Sequence, residues 1–162
     1  HKDDEMRMWL PAFKKVRRIS AKKRGDSFMG SDLSFEDLSS RAISNNDYNR
    51  LEDRSLVDTE CFVLETIPKK ESKSSYSRHV SFMDKNTLNI VKEFSYDRNG
   101  DLKKEKEFDY SEVEGYQILV RVFVKDVIKH HTTEVFFSDI VVNRGIEENF
   151  FHEKNLKRLP RD

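Results

Sequence analysis

The second half of the chain is punctuated by short polar turns and loops, and few folds accommodate that. Asp84-Lys-Asn-Thr87, Asp97-Arg-Asn-Gly100 and His130-His-Thr-Thr133, with a short loop between Tyr110 and Tyr116, separate segments of five to thirteen residues that carry alternating or β-branched apolar positions. An Asn-Gly pair supplies the left-handed backbone a tight hairpin needs. The segments His79–Met83, Leu88–Tyr96, Leu102–Tyr110, Tyr116–Ile128 and Glu134–Val142 are therefore predicted as five strands of an antiparallel meander. Leu102–Tyr110 is almost wholly charged and offers little apolar face to bury. Leu119–Val124 and Glu134–Val142 are apolar on parts of both faces, which calls for a cover on each side.

Upstream, Met6–Leu10 and Phe13–Ile19 read as short strands broken by Pro11, and residues 20–33 as a loop. Ser34–Arg41 is predicted as a short helix. Asp32 or Ser34 would cap it, Glu36 and Asp37 would sit in its first turn, and Phe35 and Leu38 would share one face. Tyr48–Leu56 is a polar strand or turn region. Glu60–Ile67 is a strand stopped by Pro68, and Lys69–Ser75 a charged, Ser-rich connector. The tail from Glu147 to Leu159 is expected to form a short closing helix.

At 162 residues the chain fits one domain, and residues 1–162 are taken as such. Its apolar fraction is low at 36%, but 12 Phe and 5 Tyr argue for a folded core beneath a heavily charged exterior. Thirty basic and thirty acidic residues cancel, so no global attraction to nucleic acid follows. One cysteine, Cys61, rules out an intrachain disulfide and a Cys-rich zinc site. No apolar run of about eighteen residues is present to span a membrane as a helix. The start at His1 lacks an initiator Met and runs straight into a strand-like segment, which is the pattern of a fragment or processed product.

Candidate chemistry is sparse. His130-His131 would point to opposite faces of a strand and meet no metal-ligand spacing. Asp97–Asp101 places its glycine fourth rather than sixth, and Phe108 stands where a calcium loop needs glutamate. Nothing resembles a nucleophile elbow. No catalytic residue, metal or cofactor is expected.

Two features admit a binding role. Lys14, Lys15, Arg17, Arg18, Lys22, Lys23 and Arg24 form the one local charge excess, suited to phosphates or lipid headgroups or else to a solvated strand and loop. Phe28, Met29, Leu33, Phe35 and Leu38 follow. They either pack onto a sheet or form a lid over an apolar cavity, for which flexible Met and bulky Phe are suited.

The run Trp9-Leu-Pro-Ala-Phe-Lys-Lys-Val-Arg-Arg-Ile19, followed by Arg24-Gly-Asp-Ser-Phe-Met-Gly-Ser-Asp-Leu-Ser-Phe-Glu-Asp-Leu38, resembles the bacterial outer-membrane lipoprotein-sorting-like, or LolA-like, proteins. Weaker echoes are Cys61–Pro68, Tyr76–Asp84, the Tyr96-Asp-Arg-Asn-Gly-Asp turn and Phe150–Leu159. The resemblance implies an α+β, mainly β fold. In it a curved antiparallel sheet forms an incomplete barrel, with short helices and a lid loop over its concave face. It implies a periplasmic, non-enzymatic carrier of lipid or lipoprotein, free or lipid-anchored, in a family that carries a further N-terminal portion.

On that reading Phe28, Met29, Phe35 and Leu38 would be the lid. Val120, Val122, Val124, Phe136, Ile140 and Val142 would line the cavity, and Arg17 and Arg18 its rim or a docking site for envelope membrane proteins. An open sheet edge would invite pairing with a second copy. An acyl chain of about fourteen carbons would gain at most about 11 kcal/mol at ~0.8 kcal/mol per buried methylene, before ordering costs. The alternative is a non-catalytic envelope interaction or structural module of the same fold with a packed core. A lipid hydrolase is a weaker third reading, requiring Ser or Cys beside His in a cleft.

Overall fold

A computed structural model describes residues 6–157. Strands β3 (Asn46–Leu56), β4 (Thr59–Pro68), β5 (Arg78–Asp84), β6 (Ile90–Tyr96), β7 (Leu102–Val113), β8 (Tyr116–Asp126) and β9 (His131–Phe136) form one antiparallel sheet in sequence order. β3 and β9 are its two edges, so the sheet is an open meander and not a closed barrel. A separate hairpin, β1 (Met6–Leu10) with β2 (Lys15–Ile19), precedes it. Register shifts interrupt the β3–β4, β5–β6, β6–β7 and β7–β8 ladders. Each such bulge bends and twists a strand locally.

Side-chain chemistry fixes the turns. The Asp84 carboxylate accepts the Asn86 backbone N–H at 2.7 Å, and the Asp97 carboxylate accepts those of Asn99 and Asp101 at 2.8 and 3.1 Å. Gly100 has φ +90° there, a region an L side chain rarely adopts. Asp126 does the same for Ile128 and Lys129 at 3.1 and 2.9 Å. That moves the last turn: it spans 127–130, and β9 runs over 131–136 instead of the expected 134–142. Ile140 and Val142 lie outside any strand.

The two expected helices do not form, and among the described residues helical geometry is limited to 3-10 turns. In the tail these cover Glu148–Phe151 and Glu153–Lys157; residues 158 and 159 of the expected closing helix lie outside the described residues. No described helix is long and apolar enough to cross a membrane.

The segment 24–42 lies on one face of the sheet. Leu33 packs on Val122 and Val124, with Phe108, Leu119 and Val135 around them. The opposite face carries its own cluster of Cys61, Val63, Val80 and Phe82, flanked by Leu56, Val91, Phe94 and Tyr96. Every residue of that second cluster comes from the sheet itself.

Candidate binding face

Alternation along each strand makes the two faces chemically different. On the covered face β5 presents His79 and Ser81, β6 Glu93 and Ser95, and β7 Lys104 and Lys106, all nearly inaccessible to water. Burying isolated charges is costly, so each needs a partner. The covering segment supplies them. Asp37 accepts from Lys104 Nζ at 2.7 Å, from Lys106 Nζ at 2.5 Å, from the Tyr76 hydroxyl at 3.0 Å and from the Ser34 hydroxyl and backbone N–H at 2.7 and 2.8 Å. Arg41 donates two parallel bonds of 2.7 Å to Glu93, which also accepts from Lys106 at 3.2 Å and Ser81 at 2.9 Å.

Burial alone would raise the pKa of both carboxyls. The ammonium groups of Lys106 and Lys104 reverse this at Asp37, and Arg41 with Lys106 does so at Glu93, so both stay well below the usual carboxylate range. His79 moves the other way from its ordinary value. Burial, then repulsion from Arg41 and Lys106, pushes it down to about 3 against the pull of Glu93 and Asp37. The ring is neutral, with Nδ1 2.9 Å from Ser95 Oγ. Three cations thus meet two anions, and the surplus is tolerable because the Arg41 side chain remains 33% exposed.

This network explains why residues 34–41 are not a helix. An isolated two-turn helix is marginal in water. Here Glu36, expected to complement a helix dipole, instead accepts the Ser75 N–H at 2.8 Å and hydroxyl at 2.5 Å. Gly25 passes so close that a Cβ there would stand 2.7 Å from the Ser75 Cβ. A hollow of about 70 Å³ remains beside Arg41 and His79, room for a water or two and not for an alkyl chain.

The open face is apolar across its first half. By register Val63, Val80, Phe82, Phe94 and Tyr96 share it, and with Leu51, Glu52, Arg54 and Arg78 they line a groove of about 390 Å³. Val63, Val80 and Phe82 are 2–9% exposed although, among the described residues, no segment outside the sheet packs on them, as expected where a bent sheet wraps its own side chains. A more polar hollow of about 570 Å³, bordered by Leu56, Val91, Lys92 and Glu107, lies on the same face. Towards β9 the face becomes a ladder of ion pairs: Lys92–Glu107 at 3.1 Å, Arg121–Asp109 at 2.8 Å and Arg121–Glu134 at 2.6 Å. The apolar strip is therefore bounded by charge.

The residues predicted for lid and cavity divide between these surroundings. Phe35 is buried and meets Phe28 edge-on at 5.6 Å, both in the segment on the covered face, whereas Met29 and Leu38 are 74% and 48% exposed. Val122 and Val124 sit beneath Leu33, so segment and strand do meet, but as a packed interface. Val120 falls at the β7–β8 bulge and is half-buried. Phe136 pairs with Arg121, one residue out of phase with Val122, and is 67% exposed on edge strand β9. Ile140 is half-buried outside the sheet, and Val142 is likewise off it. Arg17 and Arg18 are exposed on the separate hairpin, not on the groove. His131 begins β9, with Nδ1 2.7 Å from Asp32.

Sequence patterning alone did not single out the groove residues. The signal was present in the alternation of Val80 with Phe82 and of Phe94 with Tyr96 against Ser81, Glu93 and Ser95. Cys61, expected to be a buried small hydrophobe, is fully buried at the end of this cluster, and burial pushes its thiol pKa up.

Comparison with known proteins supplies the context. A family model described as "uncharacterized protein" matches residues 1–158. Among solved structures, one described as an outer membrane lipoprotein-sorting protein domain from Vibrio parahaemolyticus is 34% identical with a TM-score of 0.91. It covers 98% of this chain and 68% of its own. A DUF1329 family protein from Desulfovibrio piger is 30% identical at TM-score 0.91, covering 96% and 65%. A LolA superfamily protein from Nitrosomonas europaea, 18% identical at TM-score 0.69 and covering 93% and 67%, shares the fold. The chain thus spans about two thirds of the length of these structures. No curated protein matches it.

Proposed function

Because the chain belongs to the outer-membrane lipoprotein-sorting, LolA-like family, we propose that it is a periplasmic, non-enzymatic binding or carrier protein that shelters acyl chains in the groove of its open face. The observation that carries this reading is the contrast between faces. One is sealed by a satisfied ion network, and the other keeps an apolar groove of about 390 Å³ floored by Val63, Val80, Phe82, Phe94 and Tyr96. That volume is in the range of small-molecule sites. The ligand class is an acyl chain of lipid or lipoprotein, held by burial of methylenes without need of a charged anchor.

A fluorescent fatty-acid titration tests this. Leu51 lines the groove from edge strand β3 and is 39% exposed, so Leu51→Glu leaves the fold intact. It is expected to weaken the probe about tenfold, since a second carboxylate beside Glu52, at a position now apolar, must be desolvated for the chain to bind. Met29→Glu, on the covering segment, should leave affinity unchanged. Equal affinity for both variants and the parent chain would exclude the groove.

The packed covered face favours a second reading, an envelope interaction module that carries no lipid. It predicts no saturable probe binding at all.

A further inference from the structure

The β1–β2 hairpin lies outside the large sheet and has no part in the groove. Between Met6 and Gly25 the chain carries eight basic residues and no acid, within a protein of net charge zero. Lys14, Lys15, Arg17, Lys22 and Lys23 are exposed and make no ion pair among the described residues. At the hairpin tip Pro11–Phe13 forms a 3-10 turn closed by the Lys14 N–H on the Pro11 carbonyl at 3.1 Å, which holds the Phe13 ring 72% exposed directly ahead of Lys14 and Lys15.

Inside β1, Trp9 is half-buried with Lys157 Nζ 5.7 Å from its ring centroid. Arg7 pairs with Glu153, so the tail braces the base of the hairpin. The result is a supported projection ending in an aromatic ring, with unpaired lysines just behind it. Aromatic side chains settle at the interface between lipid headgroups and hydrocarbon, and clustered lysines are drawn to anionic headgroups.

We propose that this hairpin docks the protein on an anionic phospholipid surface, with Phe13 entering the headgroup layer while Lys14, Lys15 and Arg17 contact lipid phosphates. Charge complementarity selects this occupant, and the exposed ring at the tip selects lipid over nucleic acid. Aromatic residues are not interleaved along the basic run as stacking of single-stranded bases requires. The proposal does not depend on what the groove carries.

Co-sedimentation with vesicles tests it. The protein should bind phosphatidylglycerol-containing vesicles well above pure phosphatidylcholine vesicles. The preference should shrink as salt rises from about 0.1 M to about 1 M, which shortens the screening length from about 10 Å to about 3 Å. Lys14→Gln with Lys15→Gln should lower affinity about thirtyfold, the loss of two charges near an anionic surface, without changing the melting temperature. Phe13→Ser should lower the fraction bound that survives high salt. Equal binding to both vesicle types, an unaffected double variant, or tighter binding to duplex DNA than to anionic vesicles would each overturn the proposal. Retained fatty-acid affinity in the Lys variants distinguishes its failure from that of the groove reading.

Discussion

Asp37→Ala is expected to destabilise the protein by about 3–5 kcal/mol, the cost of breaking a buried ion pair from one side. The deletion strands Lys104 and Lys106, whose side chains are 4% and 3% exposed and for which Asp37 is the anchor from the covering segment. Glu93 still holds Lys106 at 3.2 Å, but Lys104 then has no ion-pair partner among the described residues. Tyr76 and Ser34 lose their acceptor as well. Urea unfolding measures the loss. Amide exchange should locate it, with protection falling first in residues 26–36 and least in the β7–β8 ladder. A loss below about 1 kcal/mol would mean that water reaches the network and that the segment is held by Leu33 and Phe35 alone. Replacing Asp37, Lys104 and Lys106 together by apolar residues should recover much of the stability, because no uncompensated charge then remains.

Acid should unfold this protein sooner than its carboxylates alone dictate, because of His79. Its folded value of about 3 lies below the ordinary 6.5, so the fold binds the neutral ring. Stability from this group is fully present above pH 6.5 and is lost as pH falls, since only the unfolded chain takes up the proton. At 1.36 kcal/mol per unit, the loss between pH 6.5 and pH 4 approaches about 3 kcal/mol. Asp37 and Glu93, both depressed, add a loss of the same sign below about pH 4.5. Urea midpoints across pH 4–8 should therefore slope upward with pH, and His79→Gln should flatten the slope between pH 5 and pH 6.5. A flat parent profile, or the same slope in the variant, would show that the ring is protonated in the fold beside Glu93, 3.6 Å away.

The meander was legible because turns depend on local chemistry. Asn99-Gly100 and the Asx-type turns at Asp84 and Asp97 act within four residues, so they are visible in a window of that size. What escaped was long-range. Lys104 and Lys106 look like solvated positions until Asp37, some seventy residues earlier, is laid on them. The same partner erased the helix at 34–41: Asp37 is a good first-turn residue locally and a better counter-ion globally. The last strand was placed late because the Asp126 side chain caps a turn at 127–130, ahead of the histidines. The family resemblance indicated an open sheet with a covering segment, but not which face each strand residue occupies. That depends on bulges, and a one-residue shift moves a side chain to the other face, as between Val122 and Phe136.

The proposed seating of an acyl chain on the open face is the central claim, and site-resolved labelling tests it most directly. A fatty acid bearing a photoreactive group at its tail should be crosslinked to the protein and the adducts mapped by peptide mass spectrometry. Adducts are expected in β4–β6, on peptides containing Val63, Val80, Phe82, Phe94 or Tyr96, and should disappear with excess unlabelled fatty acid. Adducts concentrated in residues 28–38 or at Val122 and Val124 would place the chain beneath the covering segment and contradict the account.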